Sequence, residues 1–307
     1  MRIAVIGAGG VGGVFGVALA QAGADVTFVA RGAHLAAMRE RGLRIEGGRG
    51  EALLRPAQAT DDPASIGPVD LVLFCVKLWD VESAGAQIRP LVGPETGVIP
   101  LQNGIDASER LSPILGKAAV MGGVAQVSAT IAEPGVIRQT GALQRLVFGE
   151  LDGSRSPRGE RFLALCQTAG FDATLTEKIE RALWEKFVLL VAMSSITGVT
   201  RLPVGKLRDD PDLWGLYGTV MHEVVAVGRA RGVDLAPDLA DKLLGAVKSF
   251  PATGMASMAV DLLRGNRIEL PWLAGKAVAL GRELGVPTPA TATLFAALKP
   301  YVDGAPT

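Results

Sequence analysis

Cysteine and histidine are scarce in this sequence. Its 307 residues include two cysteines, Cys75 and Cys166, without Cys-x-x-Cys spacing, and two histidines, His34 and His222. A disulfide framework needs more cysteines, and a zinc site needs a cluster of cysteine and histidine ligands, so the sequence predicts neither. We therefore expect no bound metal and a reducing, cytoplasmic location.

Net charge and long apolar runs are also missing. The 31 lysines and arginines balance 31 aspartates and glutamates, so there is no basic field to gather nucleic acid or an anionic membrane. The longest apolar runs, residues 71–76 and 187–193, are far shorter than the roughly 18 residues that span a bilayer. The expected partner is a small molecule, without nucleic acid or membrane. The sequence leaves open whether the protein forms a homodimer.

Glycine is abundant, with 39 residues, and its most informative cluster lies near the start of the chain. Gly7, Gly9 and Gly12 form a Gly-x-Gly-x-x-Gly pattern between a predicted buried strand at 3–6 and a predicted helix at 11–22. A second predicted strand completes a βαβ unit. Glycine permits the tight turn and lets the backbone approach a pyrophosphate at the helix N-terminus, so the pattern predicts a dinucleotide-binding site. The alternative is a turn that only packs helix on sheet.

Strand and helix signals divide the chain into two predicted domains. Strand candidates alternate with helical segments in the first part, which favours a Rossmann-like, doubly wound parallel sheet; they are residues 25–30, 43–45, 69–76, 97–101, 119–124 and 146–149. Helical patterns then take over, at residues 177–195, 211–231, 237–249, 255–264, 269–285 and 289–299. We expect a dinucleotide-binding α/β domain at 1–176 and an all-helical domain at 177–307.

Arg31 lies at the end of the second predicted strand, where an enzyme that prefers NAD usually carries a carboxylate for the ribose 2′-hydroxyl. An arginine there can pair with a 2′-phosphate, so the sequence favours NADP. The other interpretation is a solvated loop arginine near Arg39 and Arg41. Neither His34 nor His222 lies in a catalytic motif, so we expect a lysine, tyrosine or acid to be the proton donor for hydride transfer.

The whole pattern resembles the ketopantoate reductase family, also called the 2-dehydropantoate 2-reductase family. The matching residues occur in order along the chain: Gly7-Ala8-Gly9-Gly10-Val11-Gly12, Arg31, Cys75-Val76-Lys77, Gln102-Asn103-Gly104, Trp184-Glu185-Lys186, Ser257-Met258 with Asp261, and Arg267-Ile268-Glu269 with Gly275. The resemblance implies NADPH-dependent reduction of a 2-oxo acid to a 2-hydroxy acid. In the typical member this is ketopantoate to pantoate, in pantothenate and coenzyme A biosynthesis.

The resemblance also implies roles for individual residues. Lys186 would be the catalytic proton donor, and Glu269 would bind the substrate hydroxyl. Ser257 would hold the substrate carboxylate. Asn103 would contact both substrate and cofactor, and Lys77 would contact the cofactor. Residues Gly7, Ala8, Gly9, Gly10, Val11, Gly12 and Arg31 would complete the cofactor site.

Each of these residues also has a structural interpretation. Lys186 lies in a mostly apolar stretch, so it is either paired in a cleft or extends its ammonium to water from a helix face. Glu269 precedes Pro271 at a predicted helix start and could simply favour the helix dipole. Lys77 could be a surface lysine and Asn103 an ordinary Asn-Gly turn residue, while Ser257 could be a small packing residue on a helix.

The chain departs from the family pattern at substrate-facing positions. Leu190 stands where the family has an asparagine, the next asparagine position on that helix is Ser194, and Gly254 replaces another. Lost polar groups favour a more apolar 2-oxo acid. The alternatives are therefore a D-2-hydroxy acid dehydrogenase that acts on a bulkier apolar substrate, and a non-catalytic redox sensor that binds NADP.

Overall fold

The computed structural model describes residues 1–305, which fall into two compact units. The first unit comprises Met1–Gln102 and Asp106–Ile179, and the second comprises Asn103–Ile105 and the residues from Glu180 onward. The strands, all in the first unit, are β1 Arg2–Ile6, β2 Asp25–Val29, β3 Leu43–Gly47, β4 Ala52–Leu54, β5 Gln58–Thr60, β6 Leu71–Phe74, β7 Gly97–Pro100, β8 Met121–Glu133, β9 Val136–Glu150 and β10 Asp172–Leu175.

The α-helices connect these strands and build the second unit. Those of the first unit are α1 Gly10–Gln21, α2 Gly32–Arg41, α3 Val81–Gln87, α4 Ala107–Leu115 and α5 Pro157–Thr168. The remaining helices are α6 Ile179–Thr200, α7 Val204–Asp209, α8 Pro211–Ala230, α9 Leu239–Val247, α10 Ser257–Leu263, α11 Ala274–Leu284 and α12 Pro289–Leu298. Short 3-10 helices lie at Pro63–Ile66, Leu78–Asp80, Arg89–Leu91, Lys117–Ala119, Leu270–Trp272 and Lys299–Tyr301.

The first sheet confirms the predicted Rossmann-like arrangement. Its five strands run parallel in the order β5-β2-β1-β6-β7, with β1 at the centre. Strands β6 and β7 are buried along their whole length, as expected for parallel strands covered on both faces. The carboxyl ends of β2, β1, β6 and β7 therefore lie side by side along one edge.

A second sheet was not predicted. The predicted strands at 43–45, 119–124 and 146–149 belong to it, and it is mixed because β8 and β9 form a long antiparallel hairpin. The hairpin turns at Gly135, whose φ of 82° is readily adopted by glycine. Helix α1 contacts strands of both sheets, and a Cβ on Gly16 would collide with the Phe28 ring. These close contacts fix the N-terminus of α1 against the first sheet.

Helix α6 forms part of the core of the second unit. Its buried residues Trp184, Phe187, Val188 and Val191 belong to a cluster that includes residues of α8, and a Cβ on Gly228 of α8 would lie 2.7 Å from the Trp184 ring. By length and composition α6 could cross a membrane, although 56% of its most apolar window is buried within the protein. Its apolar character is therefore accounted for by core packing.

The predicted helix at 269–285 is wrong in detail. Leu270–Trp272 is a separate 3-10 turn, and α11 begins only after Leu273, whose φ and ψ of −101° and −99° are not helical. Helix α6 begins at Ile179, two residues after its predicted start at 177. Thr176 lies in the turn before the helix, where its hydroxyl oxygen accepts a hydrogen bond from the Lys178 amide.

Candidate functional site

The glycine loop leaves the N-terminus of α1 open. Gly7 has a φ of 92°, and the amides of Gly7 and Ala8 both donate to the carbonyl of Val29, which holds the turn on the sheet edge. Gly9 precedes the helix, and apart from Gly9 and its two chain neighbours no described residue has a heavy atom within 4 Å of the position that a Cβ on Gly9 would occupy. Free helix amides facing open space suit a phosphate group.

Close packing surrounds that open space. A Cβ on Gly12 would collide with the carbonyl oxygen of Gly7, and one on Gly10 would collide with the carbonyl oxygen of Ala129 on β8. The third glycine of the pattern thus allows close approach of helix and strand. The loop residues predicted to bind the cofactor fit a pyrophosphate, because there is space at Gly9 while Gly10 and Gly12 pack closely against backbone.

His34 ties the glycine loop to the hairpin turn. Its Nδ1 accepts a hydrogen bond from the amide of Gly135 at 3.1 Å, so its Nε2 carries the proton and donates to the carbonyl of Ala8 at 2.9 Å. Burial lowers the pKa of this imidazole, which favours the neutral form. His34 therefore holds the glycine loop against the hairpin turn, which agrees with the absence of a catalytic motif around it.

Arg31 lines a cavity of about 490 Å³ in the first unit. Arg31 is exposed and immediately precedes α2, and the other lining residues are Asp61, Asp62, Pro63 and Gln87. The guanidinium can bind a phosphate, whereas the carboxylates can accept hydrogen bonds from hydroxyl groups. Sequence reasoning missed the two aspartates because they follow β5, a three-residue strand that was not predicted.

The Asp61 and Asp62 carboxylates are not equivalent. Asp62 Oδ1 accepts the amide hydrogen of Ala64 and so caps the first turn of the Pro63–Ile66 helix. Asp61 lies with Oδ1 3.7 Å from Nη2 of Arg39, in an exposed ion pair that contributes little on its own. Arg39 in turn donates from Nε to the carbonyl of Ala59. Of the two carboxylates in this cavity, that of Asp61 therefore has the weaker interactions with the surrounding protein.

Lys77 follows β6, and Gln102 follows the neighbouring strand β7. Strand β6 ends at Phe74, short of the predicted range 69–76. Lys77 precedes the Leu78–Asp80 turn and is exposed, with its Nζ 5.6 Å from the centre of the Trp79 ring. Gln102 is buried and donates from Nε2 to the carbonyls of Phe74 at 2.9 Å and Val76 at 3.1 Å. The segment that carries Lys77 is thus anchored from β7.

Lys186 and Glu269 interact in the second unit. Lys186 is partly buried on α6 between Trp184 and Phe187, both of which are buried. Desolvation lowers the pKa of this lysine from 10.5 to about 8, and the charge of Glu269 opposes the shift. A lysine that extended its ammonium into water would not be desolvated in this way. With a pKa of about 8 and an electrostatic interaction with Glu269, Lys186 can donate a proton to an alkoxide.

Glu269 is more buried than its sequence position indicates. It is 6% exposed and immediately precedes the Leu270–Trp272 turn, so it is not the exposed first residue of a long helix. Ser257 is the exposed first residue of α10. Asn103 is half-buried in the short 103–105 segment of the second unit, next to Gly104, whose φ is 105°.

The departures from the family pattern lie in the second unit. Leu190 is half-buried one turn beyond Lys186 on α6, and Ser194, a further turn along, is buried. Gly254 accepts a hydrogen bond from the amide of Val204 through its carbonyl, so its backbone anchors α7.

Comparisons with known proteins agree along the chain. The family model described as ketopantoate reductase PanE/ApbA matches residues 3–153, and the corresponding C-terminal model matches residues 178–302. A 2-dehydropantoate 2-reductase of Archaeoglobus fulgidus is 31% identical over 295 residues, covering 96% of this chain and 95% of that protein.

Solved structures give the same result. A PanE/ApbA family ketopantoate reductase from Ralstonia eutropha JMP134 has a TM-score of 0.89 and 33% identity, with 98% of each chain covered. A 2-dehydropantoate 2-reductase from Geobacter metallireducens GS-15 has a TM-score of 0.92 and 30% identity, covering 97% of this chain and 99% of that one.

Proposed function

We propose that this chain, which belongs to the ketopantoate reductase family, reduces 2-dehydropantoate to pantoate in pantothenate and coenzyme A biosynthesis. As a member of that family it is an oxidoreductase that acts on CH–OH groups and uses NADP. The observation that carries the proposal is the partly buried Lys186 with a lowered pKa beside the buried Glu269.

The proposed chemistry needs a proton as well as a hydride. NADPH, when bound, supplies the hydride to the substrate carbonyl carbon. Lys186, largely protonated at pH 7 because its pKa is about 8, donates a proton from Nζ to the carbonyl oxygen as that oxygen becomes an alkoxide. Glu269 holds the ammonium form through its charge and accepts a hydrogen bond from the substrate hydroxyl.

The remaining site residues divide between cofactor and substrate. We assign NADP binding to residues 1–176, through the glycine loop 7–12 at the pyrophosphate, Arg31 at the 2′-phosphate and Lys77 toward the nicotinamide ribose. We assign substrate binding and catalysis to residues 177–307, with Ser257 at the substrate carboxylate. Asn103 contacts both substrate and cofactor. A cytoplasmic location is part of the same proposal.

A second candidate is a D-2-hydroxy acid dehydrogenase that acts on a bulkier apolar substrate. The half-buried Leu190, one turn from Lys186, favours it, because a leucine offers apolar contact where an asparagine would hydrogen-bond a polar group. A sensor that only binds NADP is disfavoured, since it has no use for a lysine of lowered pKa paired with a carboxylate.

The test is steady-state oxidation of NADPH by the purified protein with ketopantoate and a panel of bulkier 2-oxo acids. Lys186→Ala should abolish turnover while NADPH binding persists, whereas Lys206→Ala, at an exposed lysine on α7, should leave turnover unchanged. Preference for a bulkier apolar acid would favour the second candidate. Turnover that survives in Lys186→Ala would refute the assigned proton donor.

A further inference from the structure

Gln102 is a buried side chain with one polar atom unused. It is 8% exposed, and its Nε2 makes both hydrogen bonds described above, to the carbonyls of Phe74 and Val76. Among the described residues, none donates a hydrogen bond to its Oε1. Most buried polar atoms in proteins have a partner, so an unused buried acceptor calls for one.

The orientation of this amide is fixed by its surroundings. Nitrogen and oxygen of a glutamine are assigned from the hydrogen bonds they make, and a flipped Gln102 would direct its oxygen at two carbonyl oxygens. Both amide hydrogens are therefore committed to the Phe74 and Val76 carbonyls. Only the acceptor Oε1 is left for another molecule.

Gln102 lies at the sheet edge that the glycine loop also occupies. Its two carbonyl partners flank Cys75, whose amide donates to the carbonyl of Ile6, the residue immediately before the glycine loop. A Cβ on Gly7 would contact the Cys75 carbonyl oxygen at 3.0 Å. Gln102 thus borders the strand beside the predicted pyrophosphate site.

The order of the strands gives the direction of a bound dinucleotide. Arg31 follows β2, the glycine loop follows β1, and Gln102 follows β7, with the sheet order β2-β1-β6-β7. A dinucleotide with its 2′-phosphate at Arg31 and its pyrophosphate at the loop extends its other half over β6 and β7. The nicotinamide half carries hydrogen-bond donors, namely the carboxamide N–H and the ribose O–H groups.

We propose that Gln102 binds the cofactor, with Oε1 accepting a hydrogen bond from an N–H or O–H group of the nicotinamide half. The proposal rests on the proposed NADP-dependent function and adds a residue to its cofactor site. Gln102 also holds the strand end from which Lys77 emerges, so the same side chain serves both the protein and its ligand.

The test compares two ligands on two variants. Gln102→Met keeps the length of the side chain and removes the acceptor together with the two donated hydrogen bonds. Gln144→Met, on β9 of the other sheet, is the matched control, because Gln144 is also 8% exposed and also has one side-chain polar atom, its Nε2, without a partner among the described residues. Dissociation constants are measured by titration calorimetry for NADPH and for 2′,5′-ADP, which lacks the nicotinamide half.

We expect Gln102→Met to weaken NADPH binding about fivefold to tenfold and to change 2′,5′-ADP binding less than twofold, with Gln144→Met altering neither. Equal weakening of both ligands would mean that Gln102 only supports the fold, and unchanged NADPH binding would exclude the contact. A loss of NADPH affinity that disappears when Gln102→Met is made in a Lys77→Ala background would mean that Gln102 acts only by holding Lys77. Any of these results would overturn the proposal.

A second measurement covers the case in which Gln102→Met does not fold. A crystal structure of the wild-type protein with NADPH should place a nitrogen or oxygen of the nicotinamide half within about 3.2 Å of Oε1. A water molecule at that position would overturn the proposal. Because these readouts need no turnover, a wild-type protein that binds NADPH but reduces no 2-oxo acid would refute the proposed function alone.

Discussion

Lys186 should contribute a rise in the free energy of unfolding between pH 8 and pH 10.5. The pKa of Lys186 is about 8 in the folded protein and 10.5 when unperturbed, so in this window its side chain binds more protons in the unfolded chain, and its contribution to stability increases with pH. The buried thiols of Cys75 and Cys166 act in the opposite direction, because burial raises their pKa, so the effect of Lys186 is measured as a difference between wild type and variant. At about 1.4 kcal/mol per pKa unit, the charged lysine costs the fold about 3 kcal/mol at pH 7 and about 1 kcal/mol at pH 10.

Urea unfolding of the wild type and of Lys186→Met at pH 7 and pH 10 measures this difference. Tryptophan fluorescence reports on the helical unit, which contains three of the four tryptophans, Trp184, Trp214 and Trp272. The wild type should gain about 2 kcal/mol relative to the variant between the two pH values. Removing the charge beside Glu269 changes stability at each pH, so only the difference between pH values is used.

Lys206→Met is the control for general effects of alkaline pH, because Lys206 is exposed on α7. It should follow the wild type within about 0.5 kcal/mol at both pH values. If the free energy of unfolding of Lys186→Met changes between pH 7 and pH 10 by the same amount as that of the wild type, Lys186 is not desolvated in the folded protein. The argument for its catalytic role would then lose its physical basis.

Three further predictions concern activity and cofactor binding. Glu269→Gln removes the charge that raises the pKa of Lys186, so the alkaline decline in the rate of 2-oxo acid reduction should move to lower pH in a pH–rate profile. If that decline stays at the same pH, Glu269 does not raise the pKa of Lys186. Arg31→Ala should weaken NADPH binding about tenfold to a hundredfold and leave NADH binding nearly unchanged, and equal losses would refute the 2′-phosphate contact. Gly9→Ala should fold normally but bind NADPH poorly, because the added Cβ occupies the open space at the helix N-terminus that we assign to the cofactor. Gly10→Ala should instead lose about 1 to 3 kcal/mol of stability, because its Cβ would collide with the Ala129 carbonyl. Thermal melts measure the stability and calorimetry measures the binding, and the reverse pattern would refute the assignment of that space to the cofactor.

The sequence was sufficient to predict four of the five strands of the parallel sheet, because those strands are mostly short apolar runs. Residues 3–6 and 71–74 are buried on both faces, and such burial leaves a clear compositional signal. The compositional signal of the β8–β9 hairpin is weaker, because much of its outer part is exposed and polar. Its strands were therefore predicted at less than their true length and in the wrong sheet.

Spacing along the sequence predicted only those features of the candidate site that depend on local structure, whereas the assignments of Lys186 and Glu269 rest on the family resemblance. The glycine loop is a local turn, so spacing alone identifies it. The burial of Glu269 and the unused acceptor of Gln102 depend on packing from distant parts of the chain, and no local pattern contains that information. Asp61 was missed for a related reason, because it reaches the Arg31 cavity by following a three-residue strand.

The mixed charge of the Arg31 cavity has an evolutionary consequence. Asp61 and Asp62 line the same cavity as Arg31, whose guanidinium we assign to the 2′-phosphate, so carboxylates that can accept a hydrogen bond from a ribose hydroxyl are already present there. A descendant of this protein could therefore change its coenzyme by losing one positive charge, without first acquiring a negative one. On this assignment, we expect a single replacement of Arg31 to shift coenzyme preference toward NAD.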